Sequence, residues 1–320
     1  MTVISDKQGL RRCLKQYMRN LPVVESCLDW NRKEENTSAL FLQKLAPILS
    51  SRPKTSLLTD DECACLSAVK KLGFSGETKD ELTRSLSLYS NDAWLREVLE
   101  AGSFRRVYVP VRLSEAETVR SEERLQPFLC VGKSDFVPGR YGIEYRAIAD
   151  QIRSALRLSG CRHLSLTEFD EEALKYCILP VCEEEGAVLR VFLNTAKETE
   201  AFFALVANAG YLHAILRTTP DLQPALIRRL EGRDRFLLSL NGFQDLALAF
   251  SVLRLRFIPY ESRTESPEMM LGKWIMAREQ IWPALLDAYL PTARTGLTLT
   301  AENLEEDLSL FLGGYLLQWD

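Results

Sequence analysis

The chain has 320 residues, of which 46% are apolar and 26% are charged. These proportions are typical of globular proteins and exclude a chain that is disordered throughout. The net charge of −4 gives no general attraction to nucleic acid or to anionic lipid. The N-terminal stretch lacks the apolar core of a signal peptide, and no stretch is long enough to span a membrane. We therefore expect a cytoplasmic protein whose eight cysteines are reduced.

Residues 1–103 are predicted to form a helical N-terminal unit, because apolar residues recur there at helical spacing. Three helix starts carry a hydroxyl residue followed three positions later by Glu or Gln, the pattern of a capping box. These pairs are Ser5 with Gln8, Thr59 with Glu62, and Thr78 with Glu81.

Residues 104–265 are predicted to form a sheet domain, since the segment starting at Phe104 alternates apolar and polar residues with a period of two. Helical and strand patterns then follow each other. In the stretch 180–210, Glu183 to Gly186 are predicted to form a turn between two strands, "YCILPV" and "AVLRVFL". Thr195 and Glu198 then predict a capped helix. The mixed alternation of strands and helices favours a central sheet covered by helices.

Residues 266–320 are predicted to form a helical C-terminal segment that packs on the sheet domain, opened by Ser266 as cap and Pro267 in the first turn. The predicted fold class is therefore α+β, with a central mixed β-sheet flanked by helices, an all-helical N-terminal unit and a helical C-terminal tail. The C-terminal segment carries an apolar band that either packs in the core or binds a partner. Its candidate interaction residues are Met270, Trp274, Trp282 and Tyr289.

Known catalytic motifs are missing from the sequence. The stretch "CVGKS" ends like a phosphate-binding loop, but Pro127 stands where the first glycine should be. The stretch "GFSGE" fails the serine nucleophile pattern at its last position. Asp135, Glu144 and Arg146 would make a poor nuclease-like Mg²⁺ site, because arginine cannot act as a base.

A zinc site is disfavoured because of the spacing of its candidate ligands. Cys161, His163, Cys177 and Cys182 offer soft ligands, but their spacing matches no zinc ribbon or knuckle, so buried thiols are the preferred interpretation. The second histidine, His213, alternates with apolar residues and favours a sheet position over catalysis. We therefore predict no catalytic residue, no metal and no cofactor.

Residues 217–263 contain eight arginines and no lysine, against five acidic residues. Arginine suits partners that accept two parallel hydrogen bonds, such as phosphate or carboxylate. Internal pairing with the acidic C-terminal segment is favoured over nucleic-acid binding, because the net charge is negative. The candidate phosphate-binding residues of the alternative are Arg228, Arg229, Arg233 and Arg235.

The run "YCILPVCEEEGAVLRVFLNTAKETEAFFALV", with "RRVYVPV" upstream, resembles the enhanced-serine-sensitivity (SseB-like) domain family of bacterial proteins. The resemblance covers about a third of the chain. It implies an accessory or interaction role and transfers no catalytic residue. The N-terminal unit and the spacing between the two strand segments depart from the family pattern.

The sequence thus predicts a non-catalytic interaction protein, either an adaptor or a subunit of a larger assembly. A protein partner or a homo-oligomer is expected, while nucleic acid and membrane are not. The alternative is a binder of phosphate ligands or nucleic acid, nuclease-like in its chemistry, that uses the basic cluster between Arg228 and Arg256.

Overall fold

The computed structural model describes residues 3–4, 6–29, 41–43, 45, 58–74, 80, 91–118, 123–136, 138–139, 142–295 and 299–319. The predicted caps at Ser5 and Thr78 lie outside these residues. None of the described helices is both long enough and apolar enough to cross a membrane.

Eight parallel strands form one sheet in the order β1-β2-β3-β6-β7-β8-β9-β10. The two remaining strands, β4 and β5, form a short antiparallel ribbon between β3 and β6. The strands are β1 Val23–Glu25, β2 Phe104–Arg112, β3 Leu125–Val131, β4 Pro138–Gly139, β5 Gly142–Ile143, β6 His163–Leu166, β7 Val188–Leu193, β8 Ala214–Thr218, β9 Phe236–Ser239 and β10 Phe257–Ile258.

Helices occupy most of the connections between the parallel strands. They are α1 Lys7–Asn20, α2 Asp60–Lys71, α3 Asn91–Ala101, α4 Tyr145–Ser159, α5 Glu171–Ala173, α6 Leu179–Glu185, α7 Ala196–Leu205, α8 Gln223–Arg229, α9 Leu246–Leu253, α10 Pro267–Arg294, α11 Ala301–Ser309 and α12 Tyr315–Leu317. A π-helical segment, Leu174–Ile178, joins α5 to α6, and a second one, Leu310–Gly314, joins α11 to α12. The connection from β2 to β3 contains a 3₁₀ segment, Leu113–Thr118.

The prediction of a mixed sheet in an α+β fold is wrong, because the sheet is parallel throughout. The error lies in "YCILPV", which was assigned to a strand. In the structure this run belongs to the π-helical segment and α6, and Gly186 ends α6 in a left-handed conformation with φ 63°. The predicted hairpin turn is therefore a helix end. Instead of forming a hairpin, β7 pairs in parallel with β6, with His163 opposite Val188.

Local helix signals were predicted correctly in several places. Thr59 and Glu62 form a capping box, and the Thr195 hydroxyl accepts from the Glu198 amide at 3.1 Å. The Ser266 hydroxyl accepts from the Met269 amide at 3.3 Å. The N-terminal segment is not all-helical, however, since it contains β1, which pairs with the first residues of β2.

The chain divides into two compact units. Unit 1 comprises residues 1–107 and 262–309, and unit 2 comprises residues 108–261 and 310–320. The division falls within β2. The predicted division into segments 1–103, 104–265 and 266–320 stays a prediction.

Unit 1 is built around the long helix α10, which packs on α1, α2 and α3. The close approach of α10 to α2 requires glycine at position 272, because a Cβ there would lie 1.9 Å from the Ala64 carbonyl oxygen. Trp274, on the same helix, is only 2% exposed, and its ring lies edge-on to that of Phe104 at 6.5 Å. Unit 1 is thus held together by the buried side of one helix.

Unit 2 contains β3 and β6 to β10, whose burial is nearly continuous along the strands. In β7 five of the six residues are buried, and in β9 all four are. Near-continuous burial is expected of parallel strands covered on both faces. Phe250, Phe257 and Phe311 form a cluster with ring centroids 5.1–5.4 Å apart.

Candidate functional site

Polar side chains meet at the carboxyl ends of the strands in unit 2. Thr218, the last residue of β8, donates from its hydroxyl to the Leu193 carbonyl at 2.7 Å. Gln223 is fully buried; it accepts from the Asn241 amide at 2.6 Å and donates to Asp245 at 2.7 Å. These bonds fix the loops that follow β7, β8 and β9 relative to one another.

A partly buried ion pair joins β8 to the segment that follows β10. The Arg217 Nε atom, on β8, is 3.2 Å from the Glu261 Oε2 atom, three residues beyond β10. The Glu261 side chain is 1% exposed, and that of Arg217 is 24% exposed. Arginine is a permanent cation in proteins, so a fixed positive charge faces this nearly enclosed carboxylate. The pair can therefore present a base and a positive charge within a few ångströms of each other.

The two histidines of the chain lie at the opposite ends of the strands. His163 is the first residue of β6; its Nδ1 atom accepts from the Arg190 Nε atom at 3.2 Å, and its ring lies 4.6 Å from that of Tyr108. His213 precedes β8, and its ring lies 4.8 Å from that of Trp319. Burial, and then the Arg235 charge, lower the pKa of His213. Neither imidazole reaches the carboxyl ends.

Unit 1 has its own buried carboxylate at the end of β1. Glu25 is fully buried and accepts from the Cys27 amide at 2.8 Å, the Ser262 amide at 3.0 Å and the Trp274 indole at 2.7 Å. Three donors compensate for the burial of the negative charge. This carboxylate fixes the loop after β1 and the residues that lead into α10.

The predicted interaction residues of the C-terminal band make internal contacts in unit 1. Met270 is fully buried, and Trp274 donates to Glu25 as described above. Trp282 is half-buried, with the Lys15 ammonium 4.5 Å from its ring centre, and donates to Glu279 at 3.2 Å. The Tyr289 hydroxyl donates to Asp307 at 2.8 Å.

The predicted phosphate-binding arginines contact unit 2 itself, apart from Arg228, which lies near the end of α8. Arg229 pairs with Glu200, and its guanidinium lies 4.4 Å from the ring centre of Phe203. Arg233 lies over the same ring at 5.1 Å. Arg235 donates to the Ala209 carbonyl. Their described partners are an acid, an aromatic ring and a backbone carbonyl of unit 2 rather than the acidic C-terminal segment.

The residues weighed for metal and phosphate chemistry are spread over unit 2. Asp135 accepts from the Gly132 amide at 2.8 Å, and Lys133 pairs with Glu168 at 3.4 Å. Glu144 and Arg146 are exposed at the start of α4. Among the described residues, no three His, Cys, Asp or Glu side chains lie close enough together to hold a metal ion.

The cysteines considered for zinc are buried thiols. Burial raises the pKa of Cys161 and of Cys177 to about 11, and that of Cys182 to about 12. At neutral pH these groups therefore stay protonated and are poor metal ligands. All eight cysteines are free.

Sequence reasoning missed the pair of Arg217 and Glu261. Each residue stands at the end of an apolar strand pattern, "AILR" and "FIPYE", which is where parallel strands expose functional side chains. That signal depends on knowing that the sheet is parallel, and the mixed-sheet prediction concealed it.

No family model and no curated protein matches the chain, so the SseB-like resemblance stays a prediction. Among solved structures, a uronate isomerase from Bacillus halodurans C-125 is similar with a TM-score of 0.80 and 13% identity, over 99% of this chain and 97% of that one. A protein from Lactobacillus casei ATCC 334, assigned as a metal-dependent hydrolase, is similar with a TM-score of 0.55 and 9% identity, over 95% of this chain and 97% of that one.

These similarities correct two predictions. They place the parallel sheet among TIM-barrel-like folds, not among mixed-sheet α+β folds. They also overturn the prediction of a non-catalytic adaptor or complex subunit, together with its phosphate-binding alternative. That prediction depended on missing sequence motifs, whereas the chain shares nearly its whole fold with proteins named as enzymes.

Proposed function

We propose that the chain is an isomerase that acts on sugar acids at the carboxyl ends of the strands in unit 2. The observation that carries the proposal is the pair of Arg217 and the buried Glu261, 3.2 Å apart. Parallel β/α folds of this kind place their active sites at these strand ends. The uronate isomerase that resembles this chain over nearly its full length supplies the substrate class.

The described residues do not fit the divalent metal that the name of the second structural neighbour implies. Neither histidine lies at the carboxyl ends, and no described group of three donors converges. Glu261, the buried carboxylate at this edge, already faces a guanidinium. The proposed reaction therefore uses only side chains of the chain.

Isomerisation of an aldose to a ketose moves protons and needs no external oxidant or reductant. Glu261 takes the proton from the carbon next to the aldehyde, which leaves an enediolate, and returns a proton to the former aldehyde carbon. The proton of the neighbouring hydroxyl passes to the former aldehyde oxygen, and a ketone forms. Arg217 stabilises the negative oxygen of the enediolate by charge and hydrogen bonding.

Proton transfer to and from carbon can be followed directly in deuterated water. We expect the purified chain to convert a hexuronic acid to its keto form and to place solvent deuterium at the former aldehyde carbon, as read by proton NMR. Glu261→Gln removes the base and is expected to lower kcat by about 10²–10⁴-fold. Neutral hexoses lack the carboxylate and serve as comparison substrates.

The matched control is Arg229→Met, which removes an arginine–glutamate pair from the surface of unit 2. This variant is expected to keep the wild-type rate, and circular dichroism verifies the fold of both variants. The proposal is rejected if the folded wild-type chain turns over no hexuronic acid, or if Glu261→Gln is folded and fully active.

We also propose that the enzyme works in the cytoplasm. The support is the set of eight free cysteines, five of which are buried. Unpaired thiols are usual where glutathione and thioredoxin keep proteins reduced.

A further inference from the structure

We infer that the site at the carboxyl ends of unit 2 works without a divalent metal ion, and that the Arg217 guanidinium supplies the positive charge instead. The second half of this inference rests on the proposed function. The first half rests on the donor atoms of the chain and is tested independently of activity.

Imidazole is the commonest nitrogen ligand for catalytic metals, and both imidazoles of the chain lie away from the carboxyl ends of the strands. The His163 Nδ1 atom uses its lone pair to accept from Arg190, whose guanidinium lies 4.9 Å from the ring centre of Tyr108. A cation beside the imidazole opposes the approach of a second cation. His213 lies before β8 with Arg235 nearby, so the same repulsion operates there.

Three buried thiols of unit 2 also fail as ligands, since a metal requires the thiolate. Cys161, Cys177 and Cys182 are buried, and burial holds their protons well above neutral pH. Cys27 follows β1 and is the cysteine nearest to the end of a strand in unit 1. Its neighbour Glu25 has both carboxylate oxygens occupied by amide and indole donors. The acid and the thiol are therefore not available as a chelating pair.

Of the two carboxylates described above at these strand ends, Asp245 accepts from Gln223 through its Oδ2 atom, and Glu261 faces Arg217. The Arg217 Nε atom lies 3.2 Å from Glu261 and cannot lose its proton at any physiological pH. A divalent ion bound to Glu261 would face this fixed charge in a poorly solvated site, where repulsion is strong. The guanidinium thus supplies the positive charge that a metal ion would otherwise supply.

Metal analysis of the wild-type protein is the first test. The chain is purified without a histidine tag, dialysed, and measured by inductively coupled plasma mass spectrometry. We expect zinc, manganese, iron, cobalt and nickel each to be far below one ion per chain. Adding Zn²⁺ or Mn²⁺ should leave the melting temperature unchanged, because an ion that binds the native state raises it. One retained ion per chain, or a saturable rise in melting temperature, overturns the inference.

The second test separates this inference from the proposed function. With a hexuronic acid as substrate, treatment with a chelator should leave kcat unchanged. Arg217→Met should lose turnover, and Arg217→Lys should retain part of it, because an ammonium keeps the charge but not the forked geometry. Loss of activity on chelation with recovery on adding metal contradicts the inference. If the protein holds no metal and shows no turnover, the proposed function and the role of Arg217 are refuted. The inference that the site holds no divalent metal ion is then still supported.

Discussion

Two arginines, one in each unit, have opposite kinds of partner. In unit 1, Arg278 is 8% exposed and donates to four backbone carbonyls, those of Met18, Arg19, Leu21 and Gly102, at 2.8–3.2 Å. In unit 2, Arg217 faces a carboxylate and keeps 24% of its side chain exposed. Carbonyl oxygens cannot take up or release protons, whereas a carboxylate can. The first arginine is therefore a structural clamp, and the second is placed for chemistry.

Removing the clamp is expected to have the largest effect on stability. Arg278→Met leaves four carbonyls without their donor, and we expect the free energy of unfolding to fall by about 3 kcal/mol or more. Burial lowers the pKa of Arg278 to about 10, so its charge is present at neutral pH. Urea unfolding followed by circular dichroism measures the loss.

A control for this experiment exists on the same side of unit 1. Arg19 pairs with Glu279 at 3.3 Å, but both side chains are more than half exposed. Arg19→Met should change the unfolding free energy by no more than about 1 kcal/mol. If Arg278→Met is as stable as this control, the clamp has no structural importance.

Removing both partners of the ion pair in unit 2 together is expected to lower the free energy of unfolding by less than removing Arg278 does. Arg217→Met leaves the Glu261 charge buried, at a cost of about 2–4 kcal/mol that partial exposure of the arginine reduces. The double variant with Glu261→Leu removes both charges and should recover most of that loss. Its hexuronate turnover should not recover, because the base is missing. A double-mutant cycle of unfolding free energies gives the coupling.

Equal stability loss in the single and double variants would contradict this account. It would show that packing around Arg217, not the charge on Glu261, sets the stability of this edge. Recovery of turnover in the double variant would contradict the proposed chemistry instead.

Much of the local structure was predictable, because helix caps depend on residues three positions apart. Thr195 with Glu198 and the cap Ser266 were identified from the sequence alone. The failure at "YCILPV" has a physical cause. Pro180 lacks an amide donor and should interrupt a helix, but it follows a π-helical turn in which the Leu179 amide bonds to the Leu174 carbonyl five residues back. Nothing in this short apolar run with a proline predicts the π-helical turn.

The candidate site could not be predicted from spacing. Arg217 and Glu261 are separated by β9, two helices and β10, and only the parallel order of the strands brings them together. The arginine-rich, lysine-free composition of residues 217–263 did indicate fixed ionic partners. It could not show which arginine lies at the carboxyl ends.

A third arginine, Arg190, is buried and donates to an imidazole instead of a carbonyl or a carboxylate. Its Nε–H donates to the Nδ1 atom of His163, so the proton of the neutral ring must reside on Nε2. We expect nitrogen-15 NMR at neutral pH to show this tautomer. His163→Leu should cost about 1–2 kcal/mol, because Arg190 loses a buried acceptor. The opposite tautomer would mean that this hydrogen bond does not form in solution.

The smallest expected effect concerns the protonation of His213, which the positive charge of Arg235 opposes. Burial and the Arg235 charge lower the pKa of His213 below its ordinary value of 6.5, so the unfolded chain binds the proton first. The contribution of His213 to stability is therefore constant above the unfolded pKa, and it is lost as the pH falls through that value toward the lower folded one.

Urea unfolding of the wild type between pH 8 and pH 5.5 should show this decline, and His213→Gln should flatten it. The near-ultraviolet circular dichroism of Trp319, whose ring lies 4.8 Å from that of His213, should change over the same interval. His163 provides the comparison, since its ring is tied to Arg190 rather than to the C-terminal residues. If His213→Gln declines as steeply as the wild type, another group titrates.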